Sequence, residues 1–285
     1  MPFVNANGLK LHYVEHGQGD RVVLYIHGNL GCQDWMNLVW PLLPANLRVI
    51  AIEWRGCGES DKPETDAEFS DYTMSQHAED MIAALKALAI QRCDLCVHST
   101  GGIIAFHMLQ KAPDMFGRML ALDPVGPMGL AMTEEQKVLF GMMKSDRDFT
   151  FRIMATAAPT LFQPETLMSE RPVFADSTSA EQKALYEKLI DRTRVLSDGI
   201  WFGTPFNLAR EAADGTLRSL QEKITHPIKI LWGEQDHWIL REDMEEMAAR
   251  IPHCTLEVVP GVGHSMNVEQ PALFAKYFKE YLMPR

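Results

Sequence analysis

The residue best placed by type and context for covalent chemistry is Ser99, in Val97-His98-Ser99-Thr100-Gly101-Gly102. An apolar run, Cys93–Val97, precedes it and reads as a strand, and Gly101–Leu109 follows with a helical pattern. A sharp strand-to-helix turn lifts a serine hydroxyl clear of the backbone, where it can attack a carbonyl. Small residues are needed around such a turn because the chain passes close to itself. Gly101 meets that need two residues after Ser99, whereas Val97, two before it, is bulkier than the glycine this pattern normally has. Alone, the segment also fits a serine that caps a helix.

Three other loops raise the chemical content. His27-Gly28-Asn29-Leu30-Gly31 follows the run Arg21–Ile26, Gly233-Glu234-Gln235-Asp236 follows Pro227–Trp232, and Gly261-Val262-Gly263-His264-Ser265 follows Thr255–Val259. Acyl transfer needs a nucleophile, a base, a group that orients the base, and fixed N–H donors for the oxyanion. Ser99, His264 and Asp236 fill the first three roles, and the backbone N–H groups of Asn29 and Thr100 are the predicted oxyanion donors. Each lies just past the carboxyl end of a strand-like run, where open α/β sheets place their sites. A lone histidine is more often structural; four elements at four strand ends reinforce one another.

The elements that must position these groups are legible. Asn7-Gly8 between Phe3–Val4 and Leu9–Val14 reads as a hairpin turn. Arg21–Ile26 and Arg48–Ile52 are short, nearly continuous apolar runs, as expected of strands buried on both faces. Thr73–Leu88 is a helix with Thr73 and Gln76 as its capping box. Cys93–Val97, Arg118–Asp123, Pro227–Trp232 and Thr255–Val259 are further strands, and Met244–Arg250 and Ala272–Leu282 further helices. The alternation predicts an α/β fold with a mostly parallel central sheet covered by helices on both faces. It stops between Gly126 and Ile224, where Glu134–Met143, Phe149–Ala155 and Ala180–Leu196 read as helices. The expected organisation is a core of residues 1–125 and 225–285 with a helical cap, 126–224, inserted between two strands.

Composition narrows the function classes. With 27 Lys+Arg against 38 Asp+Glu, a net charge of −11 and no basic block, the chain lacks the clustered positive charge of a nucleic-acid or anionic-membrane binder. Met1 to Leu11 shows no secretory pattern, and no apolar run approaches the ~20 residues of a spanning helix. The 5 Cys are scattered, and Cys93-x-x-Cys96 has no second pair to complete a zinc site. A reduced, cytoplasmic protein with no metal is expected.

Together these features resemble the α/β-hydrolase superfamily, in which Ser, Asp and His follow one another in this chain order. The resemblance extends to Trp54-Arg55-Gly56-Cys57-Gly58-Glu59-Ser60-Asp61-Lys62-Pro63, to Asn7-Gly8 with its following strand, and to the tail from His264 to Phe274. Glu53 stands where that loop more often has Asp. The resemblance implies a serine hydrolase with a catalytic triad and oxyanion hole, acting on an ester or lactone through an acyl-enzyme, with no cofactor and a small-molecule substrate. It also leaves Asp123 as an alternative acid, because some relatives take theirs after that earlier strand. Cofactor-free dioxygenation and carbon–carbon bond hydrolysis are the alternatives on this fold; Ser265 follows His264 where the carbon–carbon hydrolases usually have Trp. A non-enzymatic ligand receptor is the reading from another class, and an intact triad argues against it. Trp54 and Trp238 are candidates for the pocket mouth, and Arg192 and Arg194 read as a solvated helix face or as holders of a substrate carboxylate. The cap holds 7 of the 13 Phe and Met128 and Met132 among its Met, which predicts an apolar roof over the pocket and a largely neutral, small to medium substrate.

Overall fold

A computed structural model describes residues 2–130 and 132–283. Its strands are β1 Phe3–Ala6, β2 Leu9–His16, β3 Val22–Ile26, β4 Arg48–Ile52, β5 Cys93–His98, β6 Phe116–Leu122, β7 Ile228–Gly233 and β8 Cys254–Val259. Its helices are α1 Met74–Ala87, α2 Gly101–Lys111, α3 Glu134–Ser145, α4 Arg147–Ala155, α5 Ala180–Thr193, α6 Thr204–Ala213, α7 Thr216–Glu222, α8 Arg241–Arg250, the short α9 Met266–Glu269, and α10 Pro271–Leu282.

The strands form one 8-stranded sheet in the order β1-β2-β4-β3-β5-β6-β7-β8. β1 and β2 are antiparallel, joined at Asn7 (φ 51°) and Gly8 (φ 77°), the two left-handed positions an Asn-Gly hairpin turn requires. From β4 to β8 every pairing is parallel. Val23, Leu24, Tyr25 and Ile26 are all buried although successive side chains leave opposite faces, so helices cover both sides of the sheet. All five Cys are free, and Cys93 and Cys96 are buried strand residues.

Chain order places the site. β4 lies on one side of β3 and β5 on the other, so the connections diverge between β3 and β5. A crevice opens at such a switch point, beyond the carboxyl ends of the strands. Register then fixes the neighbours: Ile26 pairs with Val97, His98 with Leu122, Leu122 with Leu231, and Gly233 with Val259. The loops beginning at His27, Ser99, Asp123, Glu234 and Pro260 therefore emerge side by side along one edge.

The helices follow their local signals with two differences. Thr73 Oγ1 caps α1 by accepting the Gln76 N–H at 3.1 Å, but the Gln76 amide turns to Asp80 Oδ1 at 3.3 Å, so the reciprocal half of the expected box gives way to an i,i+4 contact. α6 and α7 add two helices to the three read between Gly126 and Ile224. Gly199, Gly203 and Pro205 look like breakers in the sequence; here the glycines form a π-helical turn, and the proline sits in the first turn of α6, where its missing N–H costs nothing.

Candidate active site

Ser99 occupies the turn between β5 and α2 with φ 52°, a left-handed conformation costly for a side chain with a Cβ. The surroundings hold it there. Its N–H donates to Leu122 O at 3.0 Å, and its carbonyl accepts the N–H groups of Gly102 at 2.9 Å and Val125 at 3.2 Å. Glycine is needed on both sides of the crevice. A Cβ on Gly101 would lie 2.5 Å from the Ile26 carbonyl oxygen, and one on Gly28 would lie 2.9 Å from Ser99 Cβ. The loop after β3 is thus pressed against the serine. Among the described residues, neither the Asn29 N–H nor the Thr100 N–H enters a hydrogen bond within the protein, and both residues line the cavity at Ser99.

His264 comes in from the loop after β8, and its Nδ1 lies 2.8 Å from Asp236 Oδ2. Asp236 Oδ1 accepts the N–H groups of Trp238 at 2.7 Å and Ile239 at 3.1 Å, which fixes the carboxylate in the turn after β7. Burial raises the Asp236 pKa, but His264 and these N–H donors outweigh it and hold the carboxyl below its usual value. With Asp236 as acceptor, a neutral imidazole carries its proton on Nδ1 and leaves the lone pair on Nε2. Two rings fix the imidazole further: Trp238 stacks on it at 5.7 Å and 20°, and His98 lies 4.8 Å away. His98 Nε2 donates to the His264 carbonyl at 2.8 Å, and burial, followed by the neighbouring His264, lowers the His98 pKa to about 3. Ser99 and His264 line one cavity, and no hydrogen bond joins them among the described residues.

Asp123 sits beside this pair in a different role from the alternative acid. Its Oδ1 accepts the Gly233 N–H at 2.8 Å, while Asp236, not Asp123, bonds His264. Burial, and then the charge of Asp236, push its pKa well above its usual value. One polar atom from each of Asp123, Asp236 and His264 falls within 4.8 Å of the others, the kind of grouping a small cation could enter. Both Asp236 oxygens and His264 Nδ1 are already engaged in hydrogen bonds, so these groups hold one another in place without an ion.

The cavity has a volume of about 60 Å³. Leu30, Trp35 and Ile239 from the sheet side and Leu130, Phe140, Met154 and Ala157 from the segment between β6 and β7 give it an apolar wall. Trp238 lies at its rim, and its indole N–H donates to Thr156 Oγ1 at 2.9 Å, bridging to the inserted helices. The other candidates resolve differently from expectation. Trp54 is fully buried, stacked on His27 at 4.6 Å, and lines no part of the cavity, because the loop after β4 turns it inward. Arg192 bridges to the core, with Glu59 at 2.7 Å and Asp34 at 3.2 Å, and Arg194 donates to the carbonyls of Met143 and Lys144 at the end of α3. Neither guanidinium is a carboxylate holder in the cavity. Of the phenylalanines between β6 and β7, only Phe140 lines it among the described residues; Phe151, Phe162 and Phe174 pack with Tyr186 at centroid distances of 5.0 to 5.8 Å, and Phe206 packs on Phe69. Met128 is exposed, and Met132 lines no part of the cavity. Trp35, Leu130, Met154 and Ala157 carried no signal in the sequence, since apolar residues at helical spacing do not announce which of them face a cavity.

Fold and site together are those of a hydrolase built on a doubly wound α/β sheet. The chain belongs to the alpha/beta hydrolase fold family, whose profile matches residues 21–271. It is similar to the AB hydrolase superfamily protein YfhM of Bacillus subtilis (strain 168), 26% identical over 98% of this chain and 96% of that protein. It is likewise similar to 3-oxoadipate enol-lactonase 2 of Acinetobacter baylyi, 26% identical over 95% of this chain and 92% of that one. Among solved structures, an esterase from Exiguobacterium antarcticum shares the fold with a TM-score of 0.80 at 22% identity, covering 98% of each chain. Among the described residues no helix is long and apolar enough to cross a membrane.

Proposed function

We propose that this protein is a serine hydrolase that cleaves a carboxylic ester or lactone of a small, largely apolar substrate. The observation that carries the reading is the 2.8 Å bond between His264 Nδ1 and Asp236 Oδ2, beside a serine held in a strained turn of the same cavity. Ser99 Oγ attacks the carbonyl carbon while His264 Nε2 takes its proton. The carbonyl oxygen becomes an oxyanion facing the Asn29 and Thr100 N–H groups, whose lack of partners in the protein leaves them available. Asp236 keeps the imidazole in the Nδ1–H tautomer and stabilises its charged form. His264 then protonates the leaving oxygen, and the acyl group stays on Ser99. A water molecule, deprotonated by His264, attacks the acyl carbon; the acid is released and Ser99 regains its proton.

Residues 126–224 act as the cap in this reading, since Leu130, Phe140, Met154 and Ala157 close the cavity from above. A volume of about 60 Å³ fits an acyl group of a few heavy atoms. Among the described residues no charged side chain other than the proposed catalytic groups lines it, which favours a neutral substrate. The enol-lactonase relative supports the lactone branch. Dioxygenation through Asp123 is disfavoured because His264 is bonded to Asp236. The test is labelling by a fluorophosphonate probe together with hydrolysis of p-nitrophenyl acetate. Wild type is expected to label at Ser99 and turn over, and Ser99→Ala to lose labelling and ~10³-fold or more of the rate. Labelling that persists in Ser99→Ala refutes the assignment.

A further inference from the structure

Glu269, five residues after His264, closes α9 with its side chain nearly fully buried. Its carboxylate takes three hydrogen bonds from two parts of the chain. Oε2 accepts the N–H of Gly263, the residue before His264, at 2.7 Å. Oε1 accepts the Thr160 N–H at 3.1 Å and the Thr160 O–H at 3.0 Å, from the short turn Pro159–Leu161 of the inserted segment. Burial raises the Glu269 pKa, and the Thr160 and Gly263 donors work against that rise.

Contacts around it run the same way. A Cβ on Gly263 would fall 2.3 Å from Pro159 Cδ, so the Thr160 turn is in close contact with the histidine loop. Gln182 of α5 donates its amide to the carbonyls of Val268 at 2.9 Å and Glu269 at 3.0 Å. The histidine loop and α9 are therefore gripped by two separate elements of the insertion. Only a carboxylate offers two oxygens that both accept; a glutamine there would set its NH₂ against an N–H donor.

We infer that Glu269 is a positioning residue that locks the His264 loop to the inserted helices, so that the imidazole reaches its working place at Ser99 only with those helices seated over the cavity. This rests on the triad reading above. The bridge makes base alignment and closure one event. An imidazole displaced by a fraction of an ångström loses proton transfer while the rest of the cavity still binds substrate.

The experiment compares wild type, Glu269→Gln and Thr160→Ala, with active sites counted by fluorophosphonate titration and p-nitrophenyl acetate as substrate. Glu269→Gln is expected to lose ~30-fold in kcat per titrated site, with KM within ~3-fold, because alignment and not binding is disturbed. Thr160→Ala keeps its N–H and is expected to lose ~3-fold in kcat. A proton resonance at low field from His264 Nδ1–H, sharp in wild type, is expected to broaden in Glu269→Gln. A purely structural role would lower the melting temperature and leave kcat per titrated site and the resonance unchanged; that result overturns the inference. If Glu269→Gln does not fold, Thr160→Ala decides, and unaltered kcat in that variant overturns it. A wild type that cleaves no ester fails the functional reading instead, and the resonance then tests the bridge alone.

Discussion

Replacing Asp236 by Asn separates the two acids beside His264. Asp236 Oδ1 accepts two backbone N–H groups, from Trp238 at 2.7 Å and Ile239 at 3.1 Å. An asparagine must keep its carbonyl oxygen at that position, because its NH₂ cannot accept either bond. The NH₂ then falls where Oδ2 was, 2.8 Å from His264 Nδ1. Nδ1 must become the acceptor, so the proton moves to Nε2 and the base facing Ser99 is lost. The expected loss in kcat is about 10,000-fold, equivalent to about 5.5 kcal/mol of transition-state stabilisation. Asp123→Asn has a different geometry. Its carbonyl oxygen can keep the Gly233 N–H, and its NH₂ takes the place of Oδ2, an oxygen with no hydrogen-bond partner in the protein. Its expected loss is under ~10-fold. The assay is kcat on p-nitrophenyl acetate per titrated site, with folding checked by near-UV circular dichroism. Equal losses in the two variants, or more than a tenth of wild-type activity in Asp236→Asn, would refute the assignment of the acid.

The fold supports other tests. Asp123 has a raised folded-state pKa, so its contribution to stability is full below the unfolded value of 3.8 and is lost as pH rises through the folded one. The melting temperature of Asp123→Asn relative to wild type is expected to climb as pH rises above 3.8, and a flat difference between pH 4 and 8 would contradict the raised pKa of the buried carboxyl. Phe140→Ala removes part of a wall around a cavity of about 60 Å³; each added acyl methylene should then improve kcat/KM by up to ~4-fold, about 0.8 kcal/mol, where wild type shows a decline after the shortest acyl groups. Gly28→Ala brings a Cβ to 2.9 Å from Ser99 Cβ and is expected to cost ~10-fold or more in kcat/KM with little change in melting temperature. Arg192→Met leaves Asp34 and Glu59 without that partner, Asp34 being 2% exposed, and should lower stability by about 2 kcal/mol in urea titration.

The sequence by itself determined the parts that depend on neighbours along the chain. Alternating apolar runs and helical patterns gave the strands of the core, since burial of a strand on both faces leaves a local imprint of continuous apolar residues. The same locality marked the turn at Ser99 and the loops at Asn29, Asp236 and His264, because a parallel sheet delivers all its strand ends to one edge. The tertiary structure decided what depends on register and docking. Which of Asp123 and Asp236 meets His264 follows from loop conformations after β6 and β7, where both residues stand at strand ends and their order along the chain does not discriminate. Trp54 turned inward onto His27, and Arg192 reached across to Asp34 and Glu59, through contacts between segments more than 25 residues apart in sequence. The phenylalanines between β6 and β7 look alike in composition, yet three of them pack with Tyr186 and one lines the cavity, because the way the inserted helices dock sets which side each ring faces. Glu269 was hidden for the same reason: its bond to Thr160 spans 109 residues, and no local pattern records that meeting.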